Sequence, residues 1–291
     1  MGAWPSQPNP EGRLKLRLHH HSDGARIAYR EAGSGTPLIL LHSLGMSHRE
    51  WAPAVEYLTD RFRVILPDLP LHGDSEDRPG HAYDRPWMTE VIADFCRTVG
   101  GPRAAIGGHG LGGDLALRAV ASGGVSPSWL ILCSSQLHGK PQRAGLLGAW
   151  RTAARAAGIS GLDRLLARGA RAGAGPMLAR RLTESGNPEA EDLIRHAFSE
   201  VGDRGRSRAW ARFARNWPSG PERDLMDIYA AVQCPTLLLW ADRDPMHPME
   251  TARQALDLIP NAQLRVLERT GYLPAYDDPI GLAREITAFV R

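Results

Sequence analysis

The residues able to do chemistry gather in a few segments marked by glycine or proline: HSLGMSHREW (42–51), LPLHGDS (69–75), GGHGLGGD (107–114), ADRDPMHP (241–248) and RTGYLPAYDD (269–278). Between them they hold the imidazoles of His42, His72, His109 and His247, the carboxylates of Asp114, Asp242 and Asp244, the hydroxyl of Ser43 and the phenol of Tyr272. Imidazoles titrate close to neutrality, so His72 and His247, both in loops, are candidate proton carriers. Carboxylates can orient such a group or take a proton themselves. No spacing of His, Cys and acidic residues matches a metal site, and no P-loop occurs, so neither a metal nor a cofactor is expected. The run His19, His20, His21 could bind a metal, but three successive side chains on a strand alternate between its faces.

These segments need elements to hold them. LKLRLH (14–19) and RIAYRE (26–31) alternate around the turn Ser22-Asp23-Gly24, which predicts an antiparallel hairpin. PLILLHS (37–43) is continuously apolar, as in a strand covered on both faces, and so are stretches at 63–68, 104–109, 129–135, 236–242 and 262–268. Helical patterns such as TEVIADFCRTVG and METARQALDLI lie between several of them. Strands alternating with helices predict an α/β chain with a mostly parallel, doubly wound sheet. The alternation fails between 136 and 227. There, helical patterns at 143–157, 161–169, 177–183, 189–201 and 206–216 predict a helical cap inserted between a core of 13–135 and 228–291. Residues 1–12 read as a flexible tail. Trp150, Trp210 and Trp217 in the cap are expected to anchor packing.

With 43% hydrophobic residues in 291, the chain can bury a large core. Its 35 Lys+Arg stand against 32 Asp+Glu with no massed basic tract, so nucleic-acid binding is not indicated. Cys96, Cys133 and Cys234 sit in apolar strings and read as reduced core residues. No apolar run is long enough to span a bilayer, and the first residues lack the features of a signal peptide. A cytoplasmic location without membrane contact is therefore expected. Nothing in the sequence sets the oligomeric state.

Five ordered segments resemble the α/β-hydrolase family. LLHSLGMSHREW (40–51) resembles its oxyanion-loop segment, His-Gly-x with a later Trp. LPDLPLHGDS (66–75) resembles D-x-R-G-x-G-x-S, with Pro70 and Leu71 in place of Arg and Gly. GGHGLGGD (107–114) resembles the nucleophile elbow better than a dinucleotide-binding fingerprint, LLLWADRDPMHP (237–248) the acid loop, and VLERTGYLPAYDDP (266–279) the final segment, where Gly-His is usual. The resemblance implies an α/β-hydrolase fold with a degenerate triad. Gly110 stands at the nucleophile position and Tyr272 at that of the base, while Asp244 is the acid, left with no histidine to orient. It also implies that Leu44 and Leu111 supply oxyanion N–H groups, with Ser43, Gly110, His72 and His247 around a substrate. Alternation along its strand is expected to turn His109 away from Gly110, and His42 is expected to be buried.

A phenol with a reference pKa of about 10 is a poor base at neutral pH, and losing the nucleophile and base of a serine triad costs roughly six orders of magnitude in turnover. The expected activity is therefore non-hydrolytic and cofactor-free. An isomerase, epimerase or cyclase acting on a small molecule or modified peptide, similar to natural-product members such as the bottromycin-type peptide epimerase, heads the readings. A ligand-binding protein without catalysis is the second. A hydrolase with a relocated nucleophile, Ser43, Cys133 or Ser134, is the third.

Overall fold

In the computed structural model, residues 14–78, 80–135, 137, 182–201, 205–217 and 225–291 are described. Among the described residues, eight strands form one sheet: β1 (Lys15–His20), β2 (Arg26–Ala32), β3 (Thr36–Leu41), β4 (Phe62–Pro67), β5 (Ala105–Gly110), β6 (Trp129–Ser135), β7 (Thr236–Ala241) and β8 (Ala262–Leu267). Their spatial order is β1-β2-β4-β3-β5-β6-β7-β8. β1 and β2 pair antiparallel, as do β2 and β4, and every pairing from β4 to β8 is parallel. Among the described residues, the α-helices of seven residues or more are α1 (Ala52–Leu58), α2 (Arg85–Phe95), α3 (Leu111–Ala121), α4 (Pro188–Val201), α5 (Ser207–Asn216), α6 (Leu225–Ala231), α7 (Met249–Leu258) and α8 (Pro279–Phe289).

The continuous apolar strands bury both faces because side chains alternate with period two. Leu38 and Leu40 of β3 join Val64, Leu66, Leu237 and Leu239 against α1 and α8. Their neighbours Ile39 and Leu41 join Ile65, Ile106, Leu238 and Trp240 against α2, α3 and α7. Each such side chain, fully buried, stabilises the fold by about 1.5–3 kcal/mol, so a one-residue register slip in β3 would exchange the two cores. β8 differs from the expected doubly buried strand. It lies at the sheet edge, and Leu264 is half-buried while Val266 is 44% exposed. The triplet His19 to His21 alternates as expected, with His19 bonded to Asp94, His21 to Asp23 and His20 exposed.

Of the expected cap, the helices at 189–201 and 206–216 are α4 and α5. Those at 143–157 and 161–169, most of that at 177–183, Trp150 and the 1–12 tail lie outside the described residues. Trp210 and Trp217 are buried, with Trp217 stacked on Phe213 at 4.9 Å, as expected of packing anchors. A small cluster joins Leu182, Ala190, Leu193 and Ile194 to Met46, Tyr272 and Tyr276, so this part of the chain rests directly on the predicted site.

Candidate active site

The site lies beyond the carboxyl ends of β3, β5 and β7, where ligands of open α/β sheets bind. At the turn from β5 into α3, Gly110 takes φ +50° and ψ −114°, and the pairing with β6 shifts register between His109 and Gly110. This is left-handed backbone that favours glycine. The glycines around it serve close approach: a Cβ on Gly112 would press into the carbonyls of Leu41 and His42, and one on Gly108 into the backbone of Gly112. The sequence GGHGLGG thus lets α3 start almost in contact with β3 and β5. A Cβ on Gly110 itself would stand 3.0 Å from Ser43 Cβ and 3.7 Å from His247 Cε1.

That second distance corrects one expectation. Asp244 does have a histidine to orient, three residues further along its own loop. His247 Nδ1–H donates to Asp244 Oδ2 at 2.7 Å, and the N–H groups of Met246 and His247 reach Asp244 Oδ1 at 2.7 and 3.2 Å. Burial would raise the Asp244 pKa, but the charge and hydrogen bond of His247 outweigh it and hold the carboxyl below its usual range. Trp240 Nε1–H, bonded to the carbonyl of His247, further fixes the loop. A carboxylate–imidazole pair therefore stands beside the elbow, with the imidazole arriving from the β7 loop instead of from the segment after β8.

Tyr272 occupies the other place. Its hydroxyl donates to Ser43 Oγ at 2.9 Å, its N–H bonds Leu182 O at 2.8 Å, and its ring lies 5.8 Å from that of His247 at 13°. Burial, with Glu50 nearby, raises its pKa, so the phenol is a neutral donor. Ser43 Oγ in turn donates to Glu50 Oε1 at 3.0 Å, and Ser43 N–H to Glu50 Oε2 at 2.6 Å. Glu50 went unnoticed in the sequence because HREW reads as an ordinary helix start. It is 2% exposed and bonded to His109 Nδ1. Burial would raise the Glu50 pKa, but the His109 charge and hydrogen bond keep it low, while Glu50 raises that of His109 against the opposite pull of burial. His109 is thus more than a strand residue turned aside: its ring lies 4.8 Å from Tyr272 and 5.6 Å from His247.

The remaining residues divide. Leu111 opens α3, so its N–H has no intrahelical acceptor. Leu44 follows Ser43, whose Cα is 3.6 Å from the Gly110 Cβ position, and the Gly112 N–H bond to His42 O pins the two segments together. His42 is buried between Ser43 O and the N–H of Leu69, as expected. His72 is not a solvent-facing loop residue. It is buried, with Nδ1–H on Pro70 O and its ring 5.0 Å from both His42 and Trp210. Asp114 binds Arg118 and Arg85, and Asp242 accepts from Thr270 N–H. Of the alternative nucleophiles, Ser134 Oγ accepts from Ala241 N–H, and burial pushes the Cys133 thiol up, away from thiolate.

Burial, reinforced by His42, holds His72 down at about 3 against its ordinary value of 6.5. A depressed imidazole is neutral when folded and protonates once unfolded, so its contribution is present above pH 6.5 and is lost as pH falls from 6.5 toward 3. The slope is about 1.4 kcal/mol per pH unit. Denaturant titrations from pH 7 to 4 should show this slope, and His72→Gln should flatten it. An equal slope in the variant would assign the acid limb to other groups.

The α/β hydrolase family model matches residues 38–285. The chain belongs to the α/β hydrolase family. An uncharacterised protein of Mycobacterium tuberculosis is 28% identical over 290 residues, spanning 91% of this chain and 77% of that protein. A soluble epoxide hydrolase of Corynebacterium sp. is 37% identical over 106 residues, 35% of this chain and 37% of the other. Among solved structures, an α/β hydrolase fold protein from Burkholderia ambifaria superposes with TM-score 0.78 at 21% identity, covering 94% of this chain and 97% of its own. A putative lipase from Acinetobacter baumannii gives TM-score 0.76 at 20% identity, over 99% and 98%. These likenesses establish the α/β-hydrolase fold. No helix among the described residues is long and apolar enough to cross a membrane.

Proposed function

We propose that this α/β-hydrolase-fold chain is a cofactor-free acid–base enzyme that moves a proton next to a carbonyl without forming an acyl-enzyme, as an isomerase, epimerase or cyclase does. One observation carries the reading: the His247–Asp244 pair stands beside an elbow whose residue, Gly110, has no side chain. An oriented imidazole is a general base, and a base with no nucleophile to activate is left to act on the substrate itself. The N–H groups of Leu44 and Leu111 would receive the enolate oxygen, with Tyr272 holding Ser43 in place between them. Leu182 and α4, which pack on Tyr272, would cover the site over a small molecule or modified peptide, the substrate class expected of a natural-product pathway.

The test is deuterium uptake. Amide and thioester probes with hydrogens next to the carbonyl, incubated in heavy water, should take up label. His247→Ala should slow this by about 10²- to 10⁴-fold, the usual contribution of a general base. Failure of every probe to exchange, with tight binding seen by calorimetry, would leave a ligand-binding protein instead. A second reading draws on the likeness to named esterases and epoxide hydrolases: His247 could activate water directly. Steady ester cleavage without a burst, and without label uptake, would establish it.

A further inference from the structure

His109, Asp244 and His247 each bring one ligand atom to within 4.8 Å of the others, and all three are largely buried. Two imidazoles and a carboxylate form a donor set suited to zinc and similar divalent ions. The state of His109 points the same way. Its Nδ1 is committed to Glu50, whereas its Nε2 is buried without a hydrogen-bond partner in a residue 1% exposed. Buried polar atoms are nearly always paired, so such an atom calls for an explanation. Histidines that bind metal through one nitrogen ordinarily give the other N–H to a carboxylate, which is the relation Glu50 already has to His109.

Charge completes the argument. Glu50 and Asp244 are two buried carboxylates, and a dication that displaces a proton on binding would balance their charge. We infer that His109, Asp244 and His247 form a binding site for one divalent transition-metal ion of the zinc class. Ligand atoms around tetrahedral zinc stand about 3.4 Å apart, given metal–nitrogen distances of about 2.0–2.1 Å. On binding, the widest donor pair, at most 4.8 Å apart, therefore closes by up to about 1.4 Å, while His247 Nδ1 and Asp244 Oδ2, now 2.7 Å apart, open by about 0.7 Å as the ion takes the place of the proton between them. Gly110 presents no side chain that would fill the remaining coordination position. Cation and free base are alternatives at His247, so the site stands or falls independently of the proposed reaction, and zinc is expected to suppress that reaction.

The experiment is direct metal binding. Chelator-stripped, redialysed protein is titrated with Zn²⁺ by calorimetry, bound metal is counted by mass spectrometry, and Co²⁺ is followed by the visible absorption of its four-coordinate form. One metal per chain should be bound in the parent and lost in His109→Gln and in His247→Ala, the latter on a loop where the fold is least disturbed. Glu50→Gln should weaken binding about 10- to 100-fold. Zinc held elsewhere, for instance near the exposed His20, persists in all variants and cancels in the difference. Equal stoichiometry in the parent and in both ligand variants, or a parent that binds none, overturns the site. Zinc binding by a protein whose chelator-stripped form exchanges no label would sink the proposed reaction alone; label exchange without zinc binding would sink the metal site alone.

Discussion

Gly110→Ser combined with Ser43→Gly is expected to cleave activated aryl esters about 10²- to 10⁴-fold faster than the parent, with a burst of released phenol. The base is already in place, because His247 Cε1 lies 3.7 Å from where the new Cβ would stand and Asp244 orients the ring. A hydroxyl on that Cβ reaches hydrogen-bond range of the imidazole, about 2.6–3.2 Å. The obstacle is Ser43, whose Cβ is 3.0 Å from the same point, so Gly110→Ser alone must push the loop back by a few tenths of an ångström at a backbone φ of +50°. Glycine at position 43 is also what the family's His-Gly-x pattern would place there. The Ser43 N–H bond to Glu50 survives the change, so the loop keeps its anchor. No histidine at position 272 is needed for this recovery. His247→Ala in the double variant should abolish the gain; if ester cleavage persists without His247, the base assigned to the elbow is wrong.

Glu50→Ala should lower stability by about 3–5 kcal/mol, the loss seen when one member of a buried ion pair is removed. Glu50 accepts from the Ser43 amide, the Ser43 hydroxyl and His109, all inside the protein. Its removal leaves a buried imidazole without its counter-charge and a buried amide without an acceptor, each costly in a medium that cannot substitute water. Equilibrium denaturation at pH 7 measures the loss directly. Glu50→Ala with His109→Leu should recover part of it, because replacing both partners by apolar groups removes the stranded charge. A single variant within about 0.5 kcal/mol of the parent would show that water already reaches this pair.

The sheet was legible because long apolar runs admit few other placements. Strands β3 to β7 fall within a residue or two of their expected bounds, and the glycines at 108, 110 and 112 mark the elbow because only glycine permits that approach. The edge position of β8 was less visible, since AQLRVL differs little in composition from a covered strand. At the site, Gly110, Asp244 and Tyr272 follow from the ordered segments. The pairing of His247 with Asp244 does not, because a histidine three residues beyond an acid reads as an ordinary loop residue until the turn folds it back. Glu50 was missed for a related reason: its burial depends on β3 and β5 meeting around it, and no periodicity in HREW reports that.

Moving the imidazole from the β8 side to the β7 loop changes what keeps the pair aligned. In a layout with the histidine after β8, acid and base belong to segments joined only through the sheet, and any shift of the edge strand separates them. Here two backbone amides and one side-chain bond within residues 244–247 set the geometry locally. The segment after β8 is thereby released to another task, and its Tyr272 holds Leu182 and packs with α4. Alignment of the reactive groups and the seating of Leu182 and α4 thus depend on different stretches of chain, so sequence drift in one need not disturb the other.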